Sequence, residues 1–187
     1  MQTALPLPTA ACISWYIPVH KKTLNLRQIV LFGMLGALTF AAKVAMAALP
    51  NIEPVSLFIM VFAVVFGLKC LYPLYTYVIM ELLFYGIHLW SINYLYVWTI
   101  LALAAYLLRG MKNPLAWAVL SGGFGLLFGL LCAPVQIFAG GLGFAVSWWV
   151  SGLGFDISHC AGNFVIALLL FVPLRELLTK LYTKLDS

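Results

Sequence analysis

Charge is what this chain has least of. Only 8% of its 187 residues are charged, ten basic and five acidic, whereas soluble domains carry about a quarter. No hydrophilic stretch is long enough to fold into a soluble catalytic module, so any chemistry must sit between membrane helices or at their ends. That disfavours most enzymes. The four cysteines, Cys12, Cys70, Cys132 and Cys160, are scattered without a CxxC spacing and read as packing thiols rather than as a zinc or dithiol motif. A glycine-rich phosphate loop ending in Gly-Lys-Ser or Gly-Lys-Thr is also missing, which argues against ATP hydrolysis by the chain itself. No internal repeat stands out, which weakens comparison with transporters built from inverted repeats. Residues 1–20 have no early positive charge and contain Pro6, Pro8 and Pro18, unlike a cleavable signal peptide. Residues 1–26 are expected to form a loose or interfacial leader, with Trp15 and Tyr16 at the lipid surface.

What is present is apolar. Hydrophobic residues make up 65% of the chain and the mean hydropathy is +1.08, which makes lipid the main solvent. A bilayer core needs roughly 20 apolar residues per helix, leaving room for about six spans. The punctuation of the sequence predicts spans over 29–49, 55–68, 71–89, 92–108, 114–138 and 157–178, in a single domain over 27–187. Pro50-Asn51 ends the first, and Arg109, Lys112 and Asn113 interrupt the pattern before Pro114. Residues 139–155, rich in glycine and carrying Trp148 and Trp149, read as a structured external loop or lid with an interfacial piece. In this arrangement Lys21, Lys22, Arg27, Lys69, Arg109, Lys112, Arg175, Lys180 and Lys184 share one side, and Glu53 and Asp156 lie on the other. Basic residues near span ends are retained in the cytoplasm. The expectation is therefore an all-α integral membrane protein, a six-transmembrane-helix bundle with both termini cytoplasmic.

Lys43, the remaining basic residue, falls inside the first span, where an ionisable group costs about 2.5 to 3.5 kcal/mol. Its long stem permits snorkelling to the headgroups; contact with a ligand or with Glu81 is the alternative. On the same helix Gly33, Ala37, Ala41 and Ala45 recur every four residues, a stripe suited to close helix approach. At about 100° per residue, Lys43 points away from Ala41 and Ala45, together with Phe32, Gly36 and Thr39. Glu81, near the middle of the third span, is too short to snorkel and needs a partner, either a buried hydrogen bond or a ligand. His88, Asn93, Gln136, Asp156, His159 and Asn163 gather at the outer span ends. His159 and Asn163, four apart, share a face, and Asp156 is well placed to cap the sixth helix. The aromatics Tyr85, Trp90, Tyr94, Tyr96 and Trp98 fall where an interfacial belt is expected in any case.

The stretches Leu49-Pro50-Asn51-Ile52-Glu53-Pro54-Val55-Ser56-Leu57 and Gly154-Phe155-Asp156-Ile157-Ser158-His159-Cys160-Ala161-Gly162-Asn163-Phe164 resemble the substrate-binding S components of energy-coupling factor (ECF) transporters. The resemblance extends from about Lys21 onward. It implies a subunit of an ABC-type importer in a bacterial or archaeal cell membrane, binding a water-soluble vitamin or precursor from outside. The partners implied are a transmembrane coupling subunit and two cytoplasmic ATPase subunits, with membrane lipid around them and no nucleic acid, cofactor or metal. The family pair of alanines that contacts the coupling subunit is matched by Ala37 and Ala41, with Gly33 and Ala45 extending the row. Lys43, Glu81, His88, Asn93, His159 and Asn163 are the residues here that would line the outer, substrate-binding half. Pantothenate, folate, a pyridoxine-like or pyrimidine precursor and cobalamin remain open as substrates, and Lys43 hints at an anionic group. A small membrane enzyme using His88, His159 and Glu81, or a structural or regulatory subunit, are the rival classes.

Overall fold

The computed structural model of the chain describes residues 24–48 and 52–186. Most of the expected leader, Lys21, Lys22 and the Leu49-Pro50-Asn51 break lie outside these residues. The described residues are helical and contain no strand: α1 is Leu26–Ala45, α2 Val55–Phe66, α3 Leu71–Tyr85, α4 Leu89–Leu107 and α5 Pro114–Asp186, with a short 3-10 turn Gly67–Cys70 between α2 and α3. Four helical stretches are long and apolar enough to cross a membrane: Leu26–Ala45, Val55–Tyr85, Leu89–Leu107 and Pro114–Leu185.

Local chemistry moves several boundaries from the hydropathy-based ones. The first helix begins at Leu26 rather than 29 because Asn25 caps it: its Oδ1 accepts the Gln28 amide at 2.7 Å while the Gln28 side chain returns to the Asn25 amide. The third helix stops at Tyr85 rather than 89. Gly86 takes a φ of 82°, a left-handed conformation that other residues adopt at a cost, and its amide closes on the Leu82 carbonyl at 3.0 Å. The fourth helix then starts at Leu89. Residues 139–155, expected as a loop, are helical on both sides of Gly141, the one residue inside α5 with non-helical angles (φ 81°, ψ 178°). Leu142, Phe144, Ala145, Trp148 and Trp149 sustain the helix, and only Gly141 interrupts it.

At Gly141 the chain doubles back. A Cβ placed on Gly129 would lie 2.5 Å from Asp156 Oδ2, one on Gly125 would lie 2.8 Å from the His159 carbonyl, and one on Gly122 would lie 3.3 Å from the Cys160 carbonyl. The rising and falling numbers identify an antiparallel pair, 114–140 against 142–186, whose backbones meet along a glycine face. α2 is apolar on every side, and all but Phe58 and Val64 of its residues are buried, so it occupies the middle of the bundle. α1 packs on α3 through Gly36, where a Cβ would lie 2.5 Å from Thr76 Cβ and 2.8 Å from the Pro73 carbonyl.

The bundle has two chemically different ends. At one, Gln28 donates to the Tyr182 hydroxyl at 3.2 Å, Phe66 meets Tyr182 edge-on at 4.9 Å, and Gly67 abuts Tyr106 and Arg109. Arg27, Lys69, Arg109, Lys180 and Lys184 neighbour these contacts along the chain. The opposite end carries the late part of α1, the 52–54 connection, the α3–α4 turn and the Gly141 hairpin.

Candidate functional site

The parallel packing of α1 on α3 determines where the first buried charge goes. Lys43 lies two turns beyond Gly36, and Glu81 lies a turn and a half beyond Thr76, so the close approach at Gly36 carries both side chains to the same level. Lys43 Nζ stands 2.9 Å from Glu81 Oε1 and donates to the Tyr94 hydroxyl at 3.1 Å. The Tyr94 and Tyr85 rings lie 4.8 and 5.7 Å from the same ammonium. Both side chains are mostly withdrawn from solvent, with exposures of 18% for Lys43 and 7% for Glu81. Lys43 faces the bundle interior with Phe32, Gly36 and Thr39, as its helical phase predicts.

These residues border a cavity of about 660 Å³, in the range of small-molecule sites. One wall is the Lys43–Glu81 pair with Tyr94. Opposite stand Asp156 and His159, held by the glycine face of 114–140: Asp156 Oδ1 accepts the Gly129 amide at 3.0 Å, and His159 meets Phe128 edge-on at 4.9 Å. The other carboxylate oxygen, Oδ2, and the Trp149 indole nitrogen are both buried without a hydrogen-bond partner. His159 is 3% exposed, and its Nε2 has no hydrogen-bond partner. A buried imidazole nitrogen at a cavity wall calls for a partner, which water or a ligand can supply. Trp90 and Trp148, with ring centroids 5.7 Å apart, supply the aromatic side.

Four of the six expected site residues therefore border one cavity: Lys43, Glu81, His88 and His159. His88 is exposed and stands at the α3–α4 turn, where its amide donates to Ser91 Oγ and Ser91 donates to the Gly86 carbonyl. Asn93 and Asn163 do not border it. Asn93 is fully buried, with its Oδ1 3.1 Å from the Tyr96 hydroxyl, which lies 2.6 Å from the Leu131 carbonyl. Asn163 donates from Nδ2 to Ser56 Oγ at 2.9 Å and to the Ser121 carbonyl at 3.3 Å, tying α2 to both arms of the α5 hairpin. Of the outer aromatics, Tyr85, Trp90 and Tyr94 border the cavity, while Trp98 is a core residue against Phe124 and Phe128.

Glu53 and Asp156 were legible as charges on the outer side but not as site residues, since an external loop and a helix start are ordinary places for acids. Both border the cavity. Glu53 is half-buried; burial pushes its carboxyl up from the usual range, nearby Lys43 pulls it down, and Glu81 pushes it up again. The Ile52-Glu53-Pro54 connection is seated on α5 because Gly162 leaves room: a Cβ there would lie 3.1 Å from Ile52 Cγ1. Trp148 and Trp149, from the segment expected as a lid, join the lining with Phe155, and with Phe128, which no motif singled out. Among the described residues no group of three or more His, Cys, Asp or Glu is placed to hold a metal ion.

Ala41 and Ala45, the late members of the small-residue row of α1, lie on the side of that helix opposite Lys43. Gly33 and Ala37 are half-buried and Ala41 and Ala45 exposed, and a Cβ on Gly33 would meet nothing within 4 Å. No family model matches the chain, and neither does any curated protein or solved structure.

Proposed function

We propose that this chain is the substrate-specific membrane subunit of an ECF-type ABC importer, taking up a water-soluble vitamin or precursor across a bacterial or archaeal cell membrane. The observation that carries the reading is the cavity: about 660 Å³, set between helices at the end away from Arg27, Lys69, Arg109, Lys180 and Lys184, with charges, an unpartnered imidazole and tryptophans at its walls. Buried polar groups that tie helices, as Asn163 does, serve a structural subunit equally well, whereas Asp156 Oδ2 and His159 Nε2 at the cavity tie nothing together. In this reading the chain crosses the membrane six times, through α1, α2, α3, α4 and the two arms of α5. The basic end faces the cytoplasm, together with both termini. The cavity opens outward, and Lys43, Glu81, His88 and His159 contact the substrate. Asn93 and Asn163 support the walls. Gly33, Ala37, Ala41 and Ala45, half-buried to exposed along α1, form the contact with a transmembrane coupling subunit, and two cytoplasmic ATPase subunits power transport.

The test is a calorimetric screen of the purified full chain against water-soluble vitamins, followed by uptake in cells that also express a coupling subunit and its ATPases. One-to-one saturable binding and uptake that requires the ATPases are expected. Chemical conversion of a bound compound by the chain alone would instead make it an enzyme, and absence of binding across the panel would sink the importer.

A further inference from the structure

The chemical class of the ligand follows from a charge count at the cavity, and this inference rests on the reading of that cavity as a ligand site. Lys43 is its sole lysine or arginine among the described residues, against three carboxylates: Glu53, Glu81 and Asp156. Lys43 is already engaged, by Glu81 at 2.9 Å and the Tyr94 hydroxyl at 3.1 Å, so it has little left to offer an anionic ligand. Two carboxylates remain. No ion pair within 4 Å is made by Glu53 or Asp156 among the described residues, and Asp156 Oδ2 is buried without a hydrogen-bond partner. His159 Nε2, on a residue only 3% exposed, and the Trp149 indole N–H are also unpartnered, and they give the wall two further polar positions. The remaining wall is aromatic, with Trp90 and Trp148 as its large faces, and indole faces attract cations.

We propose that the cavity takes a flat organic cation, a nitrogen heterocycle or arylamine carrying positive charge, packed against the Trp90–Trp148 pair with its charge toward Glu53 and Asp156. The Lys43–Glu81 pair then serves as a neutral wall, and the anionic ligand that Lys43 suggests from the sequence is disfavoured by the two carboxylates in excess of that one cation. His159 Nε2 hydrogen-bonds a polar substituent of the ring. A metal cation does not fit this lining, whose carboxylates are not grouped for chelation.

Three flat bicyclic probes that differ in charge provide the test: N-methylquinolinium, quinoline and quinaldate, titrated by calorimetry into the purified full chain with a micelle-only blank. The expected result is saturable one-to-one binding of N-methylquinolinium at least about tenfold tighter than quinoline, a step of about 1.4 kcal/mol, with quinaldate weakest. Glu53→Gln should remove about tenfold of the cation's affinity and leave quinoline within about twofold, which also verifies that the variant is folded. Asp156→Asn repeats the comparison at the second carboxylate. Tightest binding of quinaldate, equal binding of all three, binding of none at millimolar concentration, or an unchanged cation affinity in both variants overturns the proposal. An anionic vitamin that binds and is taken up overturns the cation while leaving the importer intact; cation binding without uptake of any vitamin does the reverse.

Discussion

Lys43 and Glu81 are each costly alone and tolerable together. Lys43→Met keeps most of the stem volume but leaves the Glu81 carboxylate buried without its cation. Breaking such a pair costs about 3 to 5 kcal/mol, and the partial exposure of Lys43 places this one toward the lower figure. Adding Glu81→Gln should return part of that loss, and melting temperatures of the two single variants and the double variant measure the coupling. Additive losses would show that the pair is incidental. Glu53 gives a pH signature of opposite sense to that of a salt-bridged acid. Its native carboxyl binds protons more readily than the unfolded one, so stability is lost as pH rises from the ordinary carboxylate range through the raised native value. The ligand-free Glu53→Gln variant should therefore melt above wild type at neutral pH, and the gap should close on acidification. Asn163, by contrast, ties helices together. Asn163→Leu should cost about 0.6 kcal/mol per lost bond, the average for interhelical hydrogen bonds in membranes, with about 1.7 kcal/mol as the upper figure, and alter ligand affinity only through that loosening.

At the scale of elements, the α5 hairpin is built on glycine. Gly125 and Gly129 face backbone and carboxylate atoms at distances no Cβ tolerates, whereas Gly123 on the same helix has open space. Gly125→Ala should push the 156–160 segment away, costing about 1 to 3 kcal/mol and moving Asp156 and His159 out of register with Lys43 and Glu81. Gly123→Ala should instead be neutral or stabilising by up to about 1 kcal/mol, because alanine is the better helix former. Thermal unfolding of the two variants, with probe titration of each, separates packing from propensity. Equal behaviour of the pair would mean that the hairpin is not held by this face.

For the whole molecule, the importer reading demands a surface that does nothing for the isolated chain. Ala37→Leu with Ala41→Leu adds bulk where α1 is half-buried to exposed, so fold and ligand affinity should be retained while uptake in the full assembly is lost. Binding lost together with uptake would show that the stripe supports the chain's own fold. Uptake equal to wild type would remove the coupling surface altogether.

Composition and periodicity alone were enough for an all-helical chain with helices apolar enough for a bilayer and for the inward phase of Lys43. Of the polar collection His88, Asn93, Gln136, Asp156, His159 and Asn163, three members, His88, Asp156 and His159, border one cavity. Each of these expectations depends on a property local to one segment: transfer free energy, a repeat of 3.6 residues, or distance from a span end. The rest came from contacts between segments distant in sequence. Hydropathy cannot register that Gly122, Gly125 and Gly129 form a packing face, because a helix of that composition is apolar whichever side meets its partner. The 139–155 segment read as a loop for the same reason: its glycines carry weight as helix breakers in a sequence, and only Gly141 breaks the helix. Asn93, Asn163, Glu53 and Asp156 share one lesson. Whether a polar side chain ties helices together or meets a ligand depends on which groups from other helices arrive within about 3 Å of it, and only the folded bundle decides that.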